Sequence, residues 1–196
     1  MSSLRKHEAA EQGLPIDAAA FPEMIRDKPR EERRQLVEGR PFVMMTPPTI
    51  THQRIAYNLA ARLNSALEAA RPDLFTLLEI GPMIEGRADF RPIADLAVID
   101  ADATRGSYAA PFYLVGEVLS PSDTPEQVNA KKEFYASAPE CIHVLILGQD
   151  ERVAEVWSRS HDWQGRVYRS AADRVDLPEF GFSCWLSDLD RGTDLA

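Results

Sequence analysis

The sequence predicts a single α/β (α+β) domain in which a mixed β-sheet is flanked by helices. Three observations support this class: one long amphipathic helical pattern, three apolar segments after it, and a second helical segment followed by short strands. The 196 residues can bury a sizeable core. A hydrophobic content of 44% and a charged content of 27% are typical of a globular chain.

The N-terminal part is polar, and "DKPREERRQ" at residues 27–35 predicts a solvated helix or arm. In "LVEGRPFVMM", short apolar runs surround Glu38 and Gly39, which is typical of a hairpin. We expect three parts along the chain: an N-terminal arm (1–29), one domain (30–190) and a tail (191–196).

The first helix is predicted over "THQRIAYNLAARLNSALEAA". Ile55, Leu59, Leu63 and Leu67 recur at steps of four and so share one face. Pro72 ends the pattern. The segments "LFTLLEIGPMIE", "IADLAVID" and "FYLVGEVL" then predict three strands, the last of them apolar enough for a central position.

A second helix is predicted to begin after Thr124. Thr124 can cap it, Pro125 suits the first helical position, and Gln127 completes a capping box. "CIHVLIL" then predicts a buried strand, and "RVAEVW" and "RVYRS" predict a meander of hairpins. The segment "VDLPEFGFSCWLSDL" is expected to pack back on the sheet.

Charge and cysteine content restrict the class of protein. A net charge of −9 argues against broad electrostatic binding of nucleic acid, although bound metal ions could supply positive charge. Cys141 and Cys184 lie in apolar surroundings and are expected to be buried free thiols, as in a reducing compartment. No apolar run approaches the roughly 20 residues that span a bilayer, and residues 1–15 lack a signal-peptide pattern. These features predict a soluble cytoplasmic protein.

Glu117 interrupts the apolar run "FYLVGEVL". Burial of a lone carboxylate costs several kcal/mol unless a cation, a metal or hydrogen bonds compensate it. Asp95 opens the preceding strand, and neighbouring strands lie about 4.8 Å apart, so the two acids could share one Mg²⁺. The alternative is that Asp95 caps a strand start while Glu117 faces solvent.

Other candidate groups are weaker. His52 at the helix start is expected to be a cap or a surface residue rather than a base, and His143 to be a satisfied core histidine. The sequence contains no GxxxxGK[ST] phosphate loop, no GxSxG elbow and no Cys/His zinc spacing.

The run "LVGEVLSPSD", followed by a helical lysine and tyrosine, resembles the Uma-two family of restriction endonucleases, a group within the PD-(D/E)XK nuclease superfamily. "RRQLVEGRPFVMMTPPTITHQRIAYNLAARL" is similar to the family's N-terminal segment, "RPIADLAVID" to its "PD" strand and "LPEFGFSCWLSDL" to its C-terminal end. The resemblance covers residues 30–190.

This resemblance implies a restriction-endonuclease-like mixed sheet flanked by helices. It also implies a Mg²⁺ site, with Mn²⁺ as an alternative, and hydrolysis of DNA. Asp95 and Glu117 match the two acids that are both catalytic and metal-binding. The superfamily's lysine lies two residues after the second acid, where this chain has Leu119. Lys131, four residues before Tyr135, is the match on the following helix, and its neighbour Lys132 is the weaker candidate. The apolar side chains of Val128 and Tyr135 are expected to hold that side of the helix against the sheet, so that Lys131 faces inward and Lys132 is more exposed.

Three departures from the family pattern bear on activity. Ala94 stands where the motif has proline, Gln35 where relatives usually have glutamate, and Gln127 where aspartate is common. A non-catalytic binding or regulatory module therefore remains an alternative, as does hydrolysis of a smaller phosphodiester. A homodimer is expected by analogy, because a two-fold protein suits the two strands of a duplex. Polyanion binding would be favoured by a basic rim at Arg54, Arg87, Arg91, Lys131 and Lys132.

Overall fold

The computed structural model describes residues 15–26, 33–44, 48–121 and 123–196. The helices are α1 (Phe21–Ile25), α2 (Ile50–Ala70), α3 (Pro125–Ser137) and α4 (Leu186–Leu189). The strands are β1 (Arg33–Val37), β2 (Arg40–Met44), β3 (Leu74–Pro82), β4 (Ala94–Asp100), β5 (Tyr108–Ala109), β6 (Phe112–Leu119), β7 (His143–Gly148), β8 (Ala154–Ser158), β9 (Gly165–Tyr168), β10 (Arg174–Leu177) and β11 (Phe182–Trp185).

The central sheet has seven strands in the order β5-β3-β4-β6-β7-β8-β9. Neighbouring strands in this sheet are antiparallel except for two parallel pairs, β3 with β5 and β6 with β7. Because β6 and β7 run in the same direction, the chain between them must cross back along the sheet, and α3 makes that crossover. The predicted mixed sheet flanked by helices is confirmed.

Helix α2 covers one face of the sheet. Its four predicted core residues, Ile55, Leu59, Leu63 and Leu67, are all buried. They belong to a cluster that includes sheet residues from β4, β6 and β7, so periodicity alone identified this face. The hairpin of β10 and β11 joins the same cluster, which confirms that the C-terminal segment packs back on the body of the protein.

Helix α3 covers the opposite face. Phe134 and Tyr135 are fully buried there, in a second cluster with Ala97, Val115 and Val144 of the sheet. The predicted cap is also confirmed, since the Thr124 hydroxyl accepts a hydrogen bond from the Gln127 N–H in a capping box with Pro at the first turn. The cap fixes where α3 begins after β6.

The predicted hairpin forms from β1 and β2, with Glu38 and Gly39 both at positive φ in the turn. Residues 15–26 contact this hairpin through Phe21 and Met24, which cluster with Leu36 of β1. Of the predicted solvated segment, residues 27–32 lie outside the described residues, and Arg33 to Gln35 belong to β1. The division into arm, domain and tail stays a prediction.

His143 and the two cysteines are buried away from the sheet end that carries Glu117. His143 is buried, and its two ring nitrogens lie 2.8 Å from Ser158 Oγ and 3.0 Å from Glu179 Oε2, as expected for a core histidine. Cys141 and Cys184 are free and buried. In the described part of the chain, no helix has the length and apolarity needed to cross a membrane.

Strand β3 forms much of one sheet edge, because β5 pairs only with Gly81 and Pro82. The side chain of Asn64 on α2 lies against this edge at Thr76 of β3. Its Oδ1 accepts a hydrogen bond from the Thr76 N–H at 2.7 Å, and its Nδ2 donates to the Thr76 carbonyl at 3.1 Å. Asn64 thus supplies to Thr76 the two bonds that a neighbouring strand would make.

We predict that Asn64→Ala destabilises the protein by about 1–3 kcal/mol, because two main-chain groups of Thr76 lose their partners. Urea unfolding should show a lower midpoint with an unchanged slope. Ser65→Ala is the matched control, since Ser65 is exposed on the same helix and should change stability by less than about 0.5 kcal/mol. Equal effects of the two substitutions would contradict this role for Asn64.

Candidate functional site

Glu117 is buried in β6, and both of its carboxylate oxygens are held by α3. Lys131 Nζ donates to Glu117 Oε2 at 3.1 Å, and the Tyr135 hydroxyl donates to Oε1 at 2.5 Å. Lys131 and Tyr135 are four residues apart, so they project from the same side of the helix. Glu117 is only 8% exposed, so the alternative in which it faces solvent is wrong.

Burial and charge shift the protonation of all three groups. Burial raises the pKa of Glu117 from 4.5 to about 7, although Lys131 opposes this shift. Burial lowers the pKa of Lys131, but the charges of Glu117 and Asp95 outweigh this effect and leave it above its ordinary value. Burial and the charge of Glu117 place the pKa of Tyr135 well above 10. Lys131 and Tyr135 therefore keep their protons at neutral pH, and the group that titrates there is Glu117.

Asp95 lies in β4, which neighbours β6. The register pairs Leu96 with Gly116, and its continuation by one residue places Asp95 opposite Glu117. The Val118 N–H donates to Asp95 Oδ2 at 2.7 Å, which ties this carboxylate to β6. The charge of Asp95 also contributes to the raised pKa of Glu117. The two acids are thus on adjacent strands at one level of the sheet.

His52 is part of this cluster, contrary to the expectation that it caps the helix or lies on the surface. Its Nε2 is 3.2 Å from Asp95 Oδ2, and its side chain is only 12% exposed. The cap of α2 is Thr49, whose hydroxyl accepts from the His52 N–H at 3.1 Å. Burial lowers the pKa of the His52 imidazole, but Asp95 more than offsets this and raises it above 6.5.

The two lysines have different environments. Lys131 is buried beside Glu117, as the predicted inward orientation requires. Lys132 instead donates to Asn129 Oδ1 at 3.0 Å and lies 3.6 Å from the ring centre of Trp157. Leu119, where the superfamily pattern has its lysine, is half-buried and packs with the α3-side cluster. The cation beside Glu117 therefore comes from the helix and not from the strand.

The three departures from the family pattern have structural roles. Gln35 Oε1 accepts a hydrogen bond from the Ile93 N–H at 3.5 Å, two residues before Asp95. Ala94 is fully buried. Gln127 is used in the capping box of α3. Gln35 thus helps to position the segment that leads into Asp95.

The basic rim that would favour polyanion binding is only partly available for an anion. Arg87 pairs with Asp89 at 2.9 Å, and Arg91 donates to the carbonyls of Arg87 and Phe90. Arg54 is exposed. Within the described residues, a phosphate backbone would therefore meet few uncommitted arginines near the site.

The cluster lies at the carboxyl end of the parallel strands β6 and β7. The amino-terminal end of α2 reaches the same region, since Thr49 Oγ1 donates to Gln149 Oε1 at 2.5 Å just beyond β7. Helix α3 also begins shortly after β6. The carboxyl ends of parallel strands and the amino-terminal ends of helices are common places for anionic ligands.

The donor set suits a hard divalent cation that keeps several waters. In the described ranges, no group of three or more His, Cys, Asp or Glu side chains is arranged to hold a metal. Mg²⁺ is commonly bound through only one or two carboxylates together with substrate phosphate, and Asp95 and Glu117 can provide two. No described residue donates a hydrogen bond to Asp95 Oδ1. A two-carboxylate site would use the available Oδ1 of Asp95, whereas at Glu117 the cation would compete with Lys131 and Tyr135 for the carboxylate oxygens.

Sequence analysis proposed Asp95, Glu117 and Lys131, which the structure brings into one region, but it missed the contacts that His52 and Tyr135 make there. Tyr135 was treated as part of an apolar face, and its hydroxyl was not considered. For His52 a signal was present, because it precedes the core residue Ile55 by three positions and so lies on the buried side of α2.

Comparison with solved structures supports the fold. The chain is similar to a protein from Anabaena variabilis ATCC 29413, whose crystal structure at 1.96 Å is described as that of a "putative nuclease belonging to DUF820". The TM-score is 0.71 at 17% sequence identity, and the match covers 90% of this chain and 98% of the other. The comparison with curated proteins gave no significant match.

A family model gives the assignment. The model of the Uma2 family, described as "Putative restriction endonuclease", matches residues 18–188. The match spans most of the chain and includes every residue of the cluster described above. The chain therefore belongs to the Uma2 family and has the restriction-endonuclease-like fold.

Proposed function

We propose that the protein is a metal-dependent endonuclease that hydrolyses DNA phosphodiester bonds at Asp95, Glu117 and Lys131. The observation that carries the proposal is the contact of Lys131 Nζ with Glu117 Oε2 at 3.1 Å, beside the strand that holds Asp95. Two acids and one lysine are the groups that this family's chemistry requires, and here the helix supplies the lysine.

Each residue has a distinct role in the proposed reaction. Asp95 and Glu117 hold the cation, with Mg²⁺ as the expected metal and Mn²⁺ as its substitute. When bound, the cation supplies positive charge that polarises the phosphate and stabilises the charge developing on it. Lys131 adds a second positive charge for the transition state. Tyr135 fixes the orientation of Glu117 through its hydrogen bond.

The decisive experiment is cleavage of supercoiled plasmid by the purified protein with Mg²⁺, with Mn²⁺ and with EDTA. Nicked and linear products that require the metal and disappear in Asp95→Asn protein would support the proposal. If wild type cleaves no DNA with either metal, the protein is better described as a non-catalytic nuclease-fold module.

Sedimentation of the same sample would test the proposed homodimer.

Metal binding should also be visible without catalysis. We predict that Mn²⁺ raises the melting temperature of wild type, because a ligand that binds only the native state stabilises it. It also relieves the repulsion between Asp95 and Glu117. The control is the Asp95→Asn/Glu117→Gln double variant, which should show little shift. An equal shift in both proteins would mean that Mn²⁺ binds elsewhere.

The metal effect should depend on pH. With its pKa raised to about 7, Glu117 is largely protonated at pH 6 and largely ionised at pH 8. Because proton and cation compete for this carboxylate, we predict that the melting shift caused by Mn²⁺ grows from pH 6 to pH 8. In Glu117→Gln protein any remaining shift should depend less on pH, because only His52 beside Asp95 then titrates near this range. A shift that is constant over this range in wild type would contradict the proposed protonation of Glu117.

Single substitutions can distinguish the role of Lys131 from that of its neighbour Lys132. We predict that Lys131→Ala lowers metal-dependent cleavage by ~10²-fold, as expected for loss of one charge contact in the transition state. Lys132→Ala is the matched control and should cleave nearly as wild type does, because Lys132 contacts Asn129 and Trp157 instead of Glu117. Melting curves of both variants would show whether either one fails to fold.

A restoration experiment tests the position of the lysine. Residue 119 follows Glu117 by two positions and therefore points to the same side of β6. Leu119→Lys combined with Lys131→Ala should recover part of the lost cleavage. Normal cleavage by Lys131→Ala, together with no cleavage by Glu117→Gln, would show that Lys131 has no part in the reaction.

A further inference from the structure

We propose that His52 is a positioning residue that fixes the Asp95 carboxylate with Oδ1 directed to the cation. This inference rests on the proposed function, because the cation is that of the proposed nuclease. It assigns a role in the site to the first turn of α2, which carries none of the residues in the family's acid and lysine motif.

The two oxygens of Asp95 have different surroundings. Oδ2 lies 2.7 Å from the Val118 N–H and 3.2 Å from His52 Nε2, so groups from β6 and from α2 converge on it. In contrast, no described residue donates to Oδ1. A carboxylate held through one oxygen by two elements cannot rotate freely, and its other oxygen keeps a defined direction. This arrangement resembles the outer-shell hydrogen bonds that orient metal-binding carboxylates in proteins.

Two contacts of helix α2 fix the position from which the His52 imidazole reaches Asp95. Thr49 caps α2 through the His52 N–H at 3.1 Å, and Ile55 anchors the next turn in the core. The other ring nitrogen of His52, Nδ1, is buried and has no hydrogen-bond partner among the described residues. Within that part of the protein, Asp95 is the side chain that the ring contacts at Nε2, and the Val118 backbone also lies close to the ring.

The contact also determines the form of the ring. Asp95 Oδ2 can only accept, so Nε2 must carry the proton that is shared between them. A neutral His52 is consequently the Nε2–H tautomer. A ring that merely filled space between α2 and the sheet would have no such preference.

Substitutions can separate this role from simple packing. In His52→Gln, the longer amide can place an N–H near the position of Nε2 and keep the bond to Asp95. In His52→Asn, the shorter amide reaches only the region of Nδ1 and therefore loses the contact with Asp95. His52→Ala has no polar group at the position of either ring nitrogen. Gln53→Ala is the control for damage to the first turn of α2, because Gln53 is exposed beside His52.

The measurement is the affinity for Mn²⁺ alone, by calorimetry on the full chain, with melting curves as the check on folding. We expect His52→Gln and Gln53→Ala to bind Mn²⁺ within about threefold of wild type. His52→Asn and His52→Ala should bind about 10-fold to 100-fold more weakly, the usual effect of losing an outer-shell partner. Equal affinity in all His52 variants would overturn the inference, even if their melting temperatures fall.

A metal-free measurement distinguishes this inference from the proposed function. Long-range ¹H–¹⁵N spectra should show His52 as the Nε2–H tautomer or as the doubly protonated ring, and the Nδ1–H tautomer would overturn the inference. If wild type binds no Mn²⁺, both the proposed nuclease and the role of His52 toward a cation are refuted. If wild type binds Mn²⁺ and His52→Gln is as weak as His52→Ala, only the role of His52 is refuted.

Discussion

The buried pair of Glu117 and Lys131 is the interaction on which the arrangement of the site depends. Burial of either charge alone would cost several kcal/mol, and removal of one partner from such a pair typically costs about 3–5 kcal/mol. The pair is therefore formed only when α3 lies against β6 in one register, with Tyr135 satisfying the second carboxylate oxygen. The same docking buries Phe134 and Tyr135 in the α3-side core. Packing and charge compensation thus select the same position of the helix.

That position follows from the topology of the chain. Because β6 and β7 are parallel, the segment between them must return along the sheet, and α3 begins at the carboxyl end of β6, close to Glu117. The capping box at Thr124 sets the first turn, so Lys131 lies about two turns further on, where its long side chain can reach back to the acid. A lysine at position 119 would not need this crossover. A lysine on α3 is useful only because the connection is short and its start is fixed.

Much of this could be predicted from local patterns. The four-residue spacing of Ile55, Leu59, Leu63 and Leu67 identified α2 and its buried face, and the Thr124 cap identified the start of α3. The inward direction of Lys131 followed from its spacing to Tyr135. The contact of His52 with Asp95 did not follow, because it joins residues 43 positions apart through the end of the sheet. The edge contact of Asn64 with Thr76 was missed as well, since a polar residue on a helix gives no local indication of its partner.

The charges of the site explain how an acidic protein could act on a polyanion. With a net charge of −9 and with Arg87 and Arg91 committed to internal contacts, the surface offers little general attraction for DNA. The ammonium of Lys131 faces the carboxylate of Glu117, and an ionised Glu117 disfavours a phosphate beside it. In the proposed nuclease, a bound divalent cation would add positive charge and would compete with Lys131 for Glu117, so that the ammonium could contact the substrate. Phosphate binding would therefore be local and would require the metal. Lys131 would be the counter-ion of Glu117 before the metal binds and a contact of the substrate afterwards.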